Sequence, residues 1–201
     1  MTQRRSSYRS LGSLQRDNRA CRACAEAGFR LESLPVVEGH AGQQAYILGQ
    51  APGVVEGEER RPWRGRAGQT LRRWLELDED AFYSTFYCAS VTRCYPGRAA
   101  SGDRTPTAAE QELCSFWREW ELRLLQPRLI VPVGGLAIRR LLGKSSLDAS
   151  VGERFALGDA VAVPLPHPSG VSRWMNAPAN QDRVRRAVGL IHSELDRLGA
   201  V

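Results

Sequence analysis

"QAYILGQAPG", Gln44 to Gly53, sets the unbroken apolar run Ala45–Leu48 against two glycines and a proline. An apolar run of this length that stops at turn formers is a buried strand running into a tight loop. Reading outward, "AFYSTFYCASVT" (81–92) is rich in aromatic and β-branched residues and predicts a second strand. "RLIVPVG" (128–134) predicts a third, and "AVAVPLP" (160–166) a fourth. Helical patterns lie between and after them. "AGQTLRRWLEL" (67–77) is a short amphipathic helix, and "GLAIRRLLG" (135–143) is another. Thr107 and Glu110 form a capping box for a long helix ending near Gln126, and "NQDRVRRAVGLIHSELDRLG" (180–199) is amphipathic with a glycine stop. Strands alternating with helices predict an α/β fold: three layers, α/β/α, with a mainly parallel four-stranded central sheet. Ligands of such sheets sit beyond the carboxyl ends of the strands. "GQAPG", "SVTRC" and "HPSG" all fall there.

The chain has 201 residues, room for one ordinary domain with a full core. Residues 1–18 read as a basic, flexible arm, and 19–201 as the single domain. No apolar run approaches the roughly 20 residues of a membrane helix, and the polar start is no secretory signal, so the cytoplasm is the expected compartment. The formal net charge is +6, and Lys144 is the only lysine. Guanidinium-borne positive charge suits a polyanionic, phosphate-bearing partner, although arginine bias also follows genome base composition.

Five cysteines do not make a simple disulfide framework. Cys21 and Cys24, in "CRAC", offer two thiolates on one polar stretch. Cys94 lies at a strand end, and Cys114 one to two turns into the capped helix. Four thiolates so gathered suit a [4Fe–4S] cluster or Zn²⁺. Cys88, inside the second strand, reads as core. His167 is held between Pro166 and Pro168 at the end of the last strand, where its backbone has little freedom.

The order of these motifs, "GQAPG" with Glu56, "PWRGRAGQTL" (62–71), "SVTRC" (90–94) and "HPSGV" (167–171), resembles the uracil-DNA glycosylase superfamily. With its four cysteines the chain is similar to the family 4 branch, which carries a [4Fe–4S] cluster. The resemblance runs from about Cys21 to the C-terminal helix. It implies a monomeric DNA repair enzyme that flips a uracil, or another deaminated base, out of DNA and hydrolyses its N-glycosidic bond. His167 would donate a hydrogen bond to the departing base, and Glu56 would activate water or stabilise the sugar cation. Trp63 would stack on the flipped base, with Gln50 and Ala51 on the first loop beside it. Ser169, Gly170 and Arg173 would hold the DNA backbone while Val171 enters the duplex as a wedge. Cys21, Cys24, Cys94 and Cys114 would hold a structural cluster.

Two positions bear on the substrate, one shared with family 4 and one that departs from it. Ala51 stands where the classical single-domain enzymes carry Asp, as in family 4. Ser90 stands where family members read uracil with an asparagine. One hydroxyl cannot make the paired donor and acceptor contacts of an amide, so the expected lesion range is broader or shifted. A cluster-bearing module that binds damaged DNA without cutting it is the alternative, and hydrolysis of nucleotides or RNA in the same pocket a third. The loop 95–106 has no histidine, unlike that of the relative that forms a covalent DNA adduct.

Overall fold

The computed structural model describes residues 4–170 and 173–200. Five strands form one sheet in the order β2-β1-β3-β5-β4: β1 (Ala45–Gly49), β2 (Phe86–Ser90), β3 (Leu129–Pro132), β4 (Phe155–Leu157) and β5 (Ala160–Ala162). β1 pairs in parallel with β2 and β3, and β3 with β5. β4 is the strand beyond the expected four. It pairs antiparallel with β5 through a hairpin at the sheet edge. Three half-exposed residues are too short a run to stand out in the sequence.

Side chains alternate across the parallel strands and build two cores. Ala45, Ile47, Phe86, Cys88, Leu129 and Val131 face one side, and Tyr46, Leu48, Tyr87, Ala89 and Ile130 the other. The first side is covered by α4 (Arg66–Trp74), α5 (Glu79–Thr85) and α8 (Pro178–Leu198), through residues such as Leu71, Phe82 and Ile191. The second is covered by α1 (Leu11–Arg19), α6 (Ala108–Leu125) and α7 (Gly135–Leu142), through Leu14, Trp117 and Ala137. These are the three layers expected. Two short helices, α2 (Ala23–Glu26) and α3 (Val54–Glu59), lie in the connections.

Two expectations are corrected. The first half of "AFYSTFYCASVT" is helix α5, because the Asp78 carboxylate caps it by accepting the Ala81 N–H at 2.8 Å, and the strand starts only at Phe86. The stretch expected as a flexible arm is folded over its described part. Ser10 caps α1, Tyr8 and Leu14 are buried against α6, and Asp17 accepts from both Arg5 (2.7 Å) and Tyr8 (3.1 Å).

The chain moves from β1 to β2 on one side and later places β3 on the other, so the sheet reverses direction beside the end of β1. That reversal splays the flanking loops apart and opens a crevice at the carboxyl edge.

Candidate active site

The crevice is a cavity of about 840 Å³ over the ends of β1, β2 and β5, lined by Gln50, Ala51, Glu56, Trp63, Ser90, His167 and Ser169 among others. Every base-facing residue expected from the sequence therefore reaches one space. His167 arrives there because the β3–β5 ladder continues beyond the regular strands. Leu165 N–H donates to Pro132 O at 3.0 Å, and Gly134 N–H to Leu165 O at 2.9 Å. Gly134 (φ +88°) lets the chain pass, since a β-carbon there would stand 3.3 Å from His167 Cβ.

The tautomer of His167 follows from its neighbours. The Ser169 backbone N–H donates to Nδ1 at 3.3 Å, and Ser169 Oγ lies 2.8 Å from the same atom. A backbone N–H can only donate, so Nδ1 is the acceptor and the ring proton sits on Nε2. Burial pushes the imidazole pKa below its ordinary value, against the pull of Glu56 and Asp103. The ring is a neutral Nε2–H donor at neutral pH.

Trp63 takes the left-handed conformation (φ +60°), which is strained for a bulky residue. Its surroundings enforce it. Arg72 donates to its carbonyl at 2.8 Å, and a β-carbon on Gly68 would stand 1.7 Å from that oxygen. Gly49 leaves room for the indole, whose Cζ2 lies 2.9 Å from where a β-carbon would be. Trp63 belongs to the core and also walls the cavity, its ring centroid 6.4 Å from that of His167.

Glu56 lies on the same wall with both oxygens engaged: Oε2 accepts from Gly53 N–H at 3.0 Å and Oε1 from Gly65 N–H at 2.7 Å. It ties the first loop to the Trp63 segment. Asp103, which sequence reasoning passed over as part of a polar loop, lines the cavity too. The Tyr95 hydroxyl donates to its Oδ1 at 2.9 Å. Only its place between the third cysteine and the capped helix could have drawn attention to it. Ser169 is half-buried and lines the cavity, whereas Gly170 and Arg173 are exposed and are not among its lining; Val171, the expected wedge, lies outside the described residues.

A second, smaller cavity of about 20 Å³ is lined by Cys21, Cys24, Cys94 and Cys114 together with Asn18, Thr92, Arg93 and Trp117. Burial pushes the Cys24 thiol up to about 12 and raises Cys94 and Cys114. Cys21 Sγ accepts from Trp117 Nε1–H at 3.3 Å. Thr92 Oγ1 and Arg93 Nη1 are buried without a partner among the described residues. Among the described residues no group of three His, Cys, Asp or Glu side chains is placed to hold a metal ion. Four soft thiols around one space, beside buried donors in need of acceptors, suit in their chemistry a thiolate-bound metal or cluster. Cys88 is buried in β2, as expected.

The family model of the uracil DNA glycosylase superfamily matches residues 37–189, from before β1 into α8. The chain belongs to the uracil DNA glycosylase superfamily. Among curated relatives, the Type-4 uracil-DNA glycosylase of Thermotoga maritima is 28% identical over 156 residues, 76% of this chain and 78% of that one. That of Sulfurisphaera tokodaii is 27% identical over 151 residues, 73% and 62% of the two chains. That of Pyrobaculum aerophilum is 30% identical over 122 residues, 61% and 59%. The chain thus spans less than two thirds of two of these three relatives. Within the superfamily framework, the cavity sits where the matched segment brings its strand ends together.

Proposed function

We propose that this superfamily member is a monofunctional DNA glycosylase of base excision repair. It hydrolyses the N-glycosidic bond of uracil, or another deaminated base, in DNA and leaves an abasic site. The observation that carries this reading is the neutral His167, fixed as an Nε2–H donor on a cavity wall shared with Trp63.

The reacting bond is inaccessible in a stacked duplex, so the nucleotide must leave the helix. The cavity offers a flipped base the indole of Trp63, and stacking on an aromatic face is worth about 1–3 kcal/mol per base. Bond cleavage puts negative charge on the base and positive charge on the sugar. A donor held in place before the reaction stabilises that anion without reorganising. His167 is so held, by Ser169 below and the prolines on either side. A neutral imidazole keeps its Nε2 proton and donates only a hydrogen bond, which strengthens as the base becomes a stronger acceptor. The Glu56 carboxylate stands on the cavity wall, where its charge favours the sugar cation. Ser90 and Gln50 supply the polar contacts to the base, Ser169, Gly170 and Arg173 hold the DNA strand, and Val171 enters the duplex as an apolar wedge.

Cys21, Cys24, Cys94 and Cys114 would hold a [4Fe–4S] cluster. The cluster would supply a rigid cross-link between the α1–α2 region, the loop after β2, and α6. The protein would work as a monomer.

Base release from uracil-containing oligonucleotides tests this reading, with His167→Ala alongside. Release by the wild type that falls about 100-fold or more in the variant supports it. No release of uracil, hypoxanthine or xanthine by a folded, cluster-loaded protein that still binds DNA would favour the binding module instead.

A further inference from the structure

We propose that Asp103 is the carboxylate that holds and deprotonates the attacking water, while Glu56 serves as a strap that shapes the first loop. This division of labour rests on the glycosylase reading and deepens it.

The two carboxylates meet at one corner of the cavity: a β-carbon on Gly53 would stand 2.8 Å from Glu56 Oε2 and 3.3 Å from Asp103 Oδ2. Their surroundings differ. Each Glu56 oxygen already accepts a backbone N–H, from Gly53 and from Gly65, so both are committed to holding the first loop against the Trp63 segment. Among the described residues Asp103 is held through Oδ1, by the Tyr95 hydroxyl, and its Oδ2 lies beside Gly53, which lines the cavity with it. The opposing first loop brings the Gln50 amide and the Ala51 methyl to the cavity, neither of which is a carboxylate.

The loop that carries Asp103 is braced. Arg98 and Asp103 form an antiparallel bridge, and Ala99 N–H donates to Gly102 O at 2.9 Å. Arg104 N–H donates to Gly97 O at 2.8 Å, while its guanidinium grips Glu110 at 2.7 and 2.8 Å. This bracing fixes the position of the Asp103 side chain on the cavity wall.

The chemistry balances with groups on the page. As the C1′–N bond breaks, its electron pair leaves with the base, whose growing anion accepts the His167 Nε2–H hydrogen bond. The water oxygen forms the new bond to C1′, and the water proton passes to the Asp103 carboxylate. Asp103 then returns that proton to solvent, and the departed base takes one up.

The test compares the cluster-loaded wild type with Asp103→Asn, Glu56→Gln and Tyr95→Phe. Two readouts are used: single-turnover base release, and affinity for duplexes carrying a cationic pyrrolidine or a neutral tetrahydrofuran at the lesion position. Asp103→Asn is expected to slow release about 100-fold or more, the scale of a lost general base. It should also weaken the preference for pyrrolidine, to which the Glu56 charge contributes as well, while keeping the affinity for tetrahydrofuran; Glu56→Gln should slow release less than Asp103→Asn does. Tyr95→Phe, which keeps the carboxylate, should slow release less than about 10-fold. Asp103→Asn that releases base at nearly the wild-type rate and keeps the cation preference overturns the role of Asp103 alone. A wild type that releases no base and shows no cation preference overturns the glycosylase reading, and this role with it.

Discussion

His167 shows how much chemistry a single residue inherits from its neighbours. Its proton is on Nε2 because Ser169 N–H occupies Nδ1, and its charge is held off by burial. Its lowered pKa means that the neutral donor persists as pH falls and is lost only below the ordinary histidine range. His167→Ala should therefore abolish most base release while leaving DNA affinity nearly unchanged, read by single-turnover kinetics beside a binding titration. Ser90 poses the complementary question of what is read. Ser90→Asn restores an amide that can donate and accept together, so the release ratio of uracil over hypoxanthine should rise. An unchanged ratio would remove Ser90 from base recognition. At this scale the sequence was informative wherever a residue carried an unusual constraint. A histidine between two prolines announced itself. Asp103 did not, because an aspartate in a Gly- and Ser-containing loop looks like any solvated turn, and its role depends on Tyr95 and Gly53 meeting it from other segments.

Among the elements, the loop-to-helix junction at Trp63 places the most demands on its neighbours. A left-handed tryptophan survives only because Gly68, in the first turn of α4, leaves room for its carbonyl. Gly68→Ala should cost about 1–3 kcal/mol by overpacking and displace the indole from the cavity. Thermal unfolding and base release measured together would show both losses, and an unaltered melting curve would contradict the packing. The strands β1, β2 and β3 were legible as apolar runs, and the capping box of α6 gave its start to the residue. α5 was hidden because Phe82, Tyr83 and Phe86 have strand-like chemistry, while the Asp78 cap that starts the helix lies outside that aromatic run. α1 was hidden by its arginines: its polar face is long, and only Leu11 and Leu14 mark the buried side. Asp17 fixes that helix, and the Arg5 and Tyr8 donors hold its carboxyl below the usual range. A depressed folded pKa means stability that is full above the unfolded value, about 3.9, and lost as pH falls through the folded one. Asp17→Asn should flatten this acid limb in pH-dependent unfolding; an acid limb identical to wild type would exclude the contribution.

Across the whole molecule, the two cavities flank the loop that follows β2. Ser90 reaches the large one, Thr92, Arg93 and Cys94 the small one, and the buried Arg93–Glu121 pair beneath them takes a further hydrogen bond from Tyr46 at 2.7 Å. A cluster on the four cysteines would thus brace the base-reading edge from behind. Cys94→Ser should lose the broad absorbance near 400 nm and bound iron, and unfold at lower temperature, because binding energy of such a group is folding energy. A variant that stays coloured with full iron would exclude Cys94 as a ligand. The overall plan, helices on both faces of a parallel sheet with the site at its carboxyl edge, was readable from alternating patterns, whereas the added edge hairpin was not.

The most direct measurement is base release from labelled oligonucleotides carrying uracil opposite guanine, opposite adenine, or in single strands, with abasic sites revealed by alkaline cleavage. Release by the wild type and its loss in His167→Ala is the predicted result. Equal release by both proteins, or none from a folded and DNA-binding wild type offered uracil, hypoxanthine and xanthine, would contradict it.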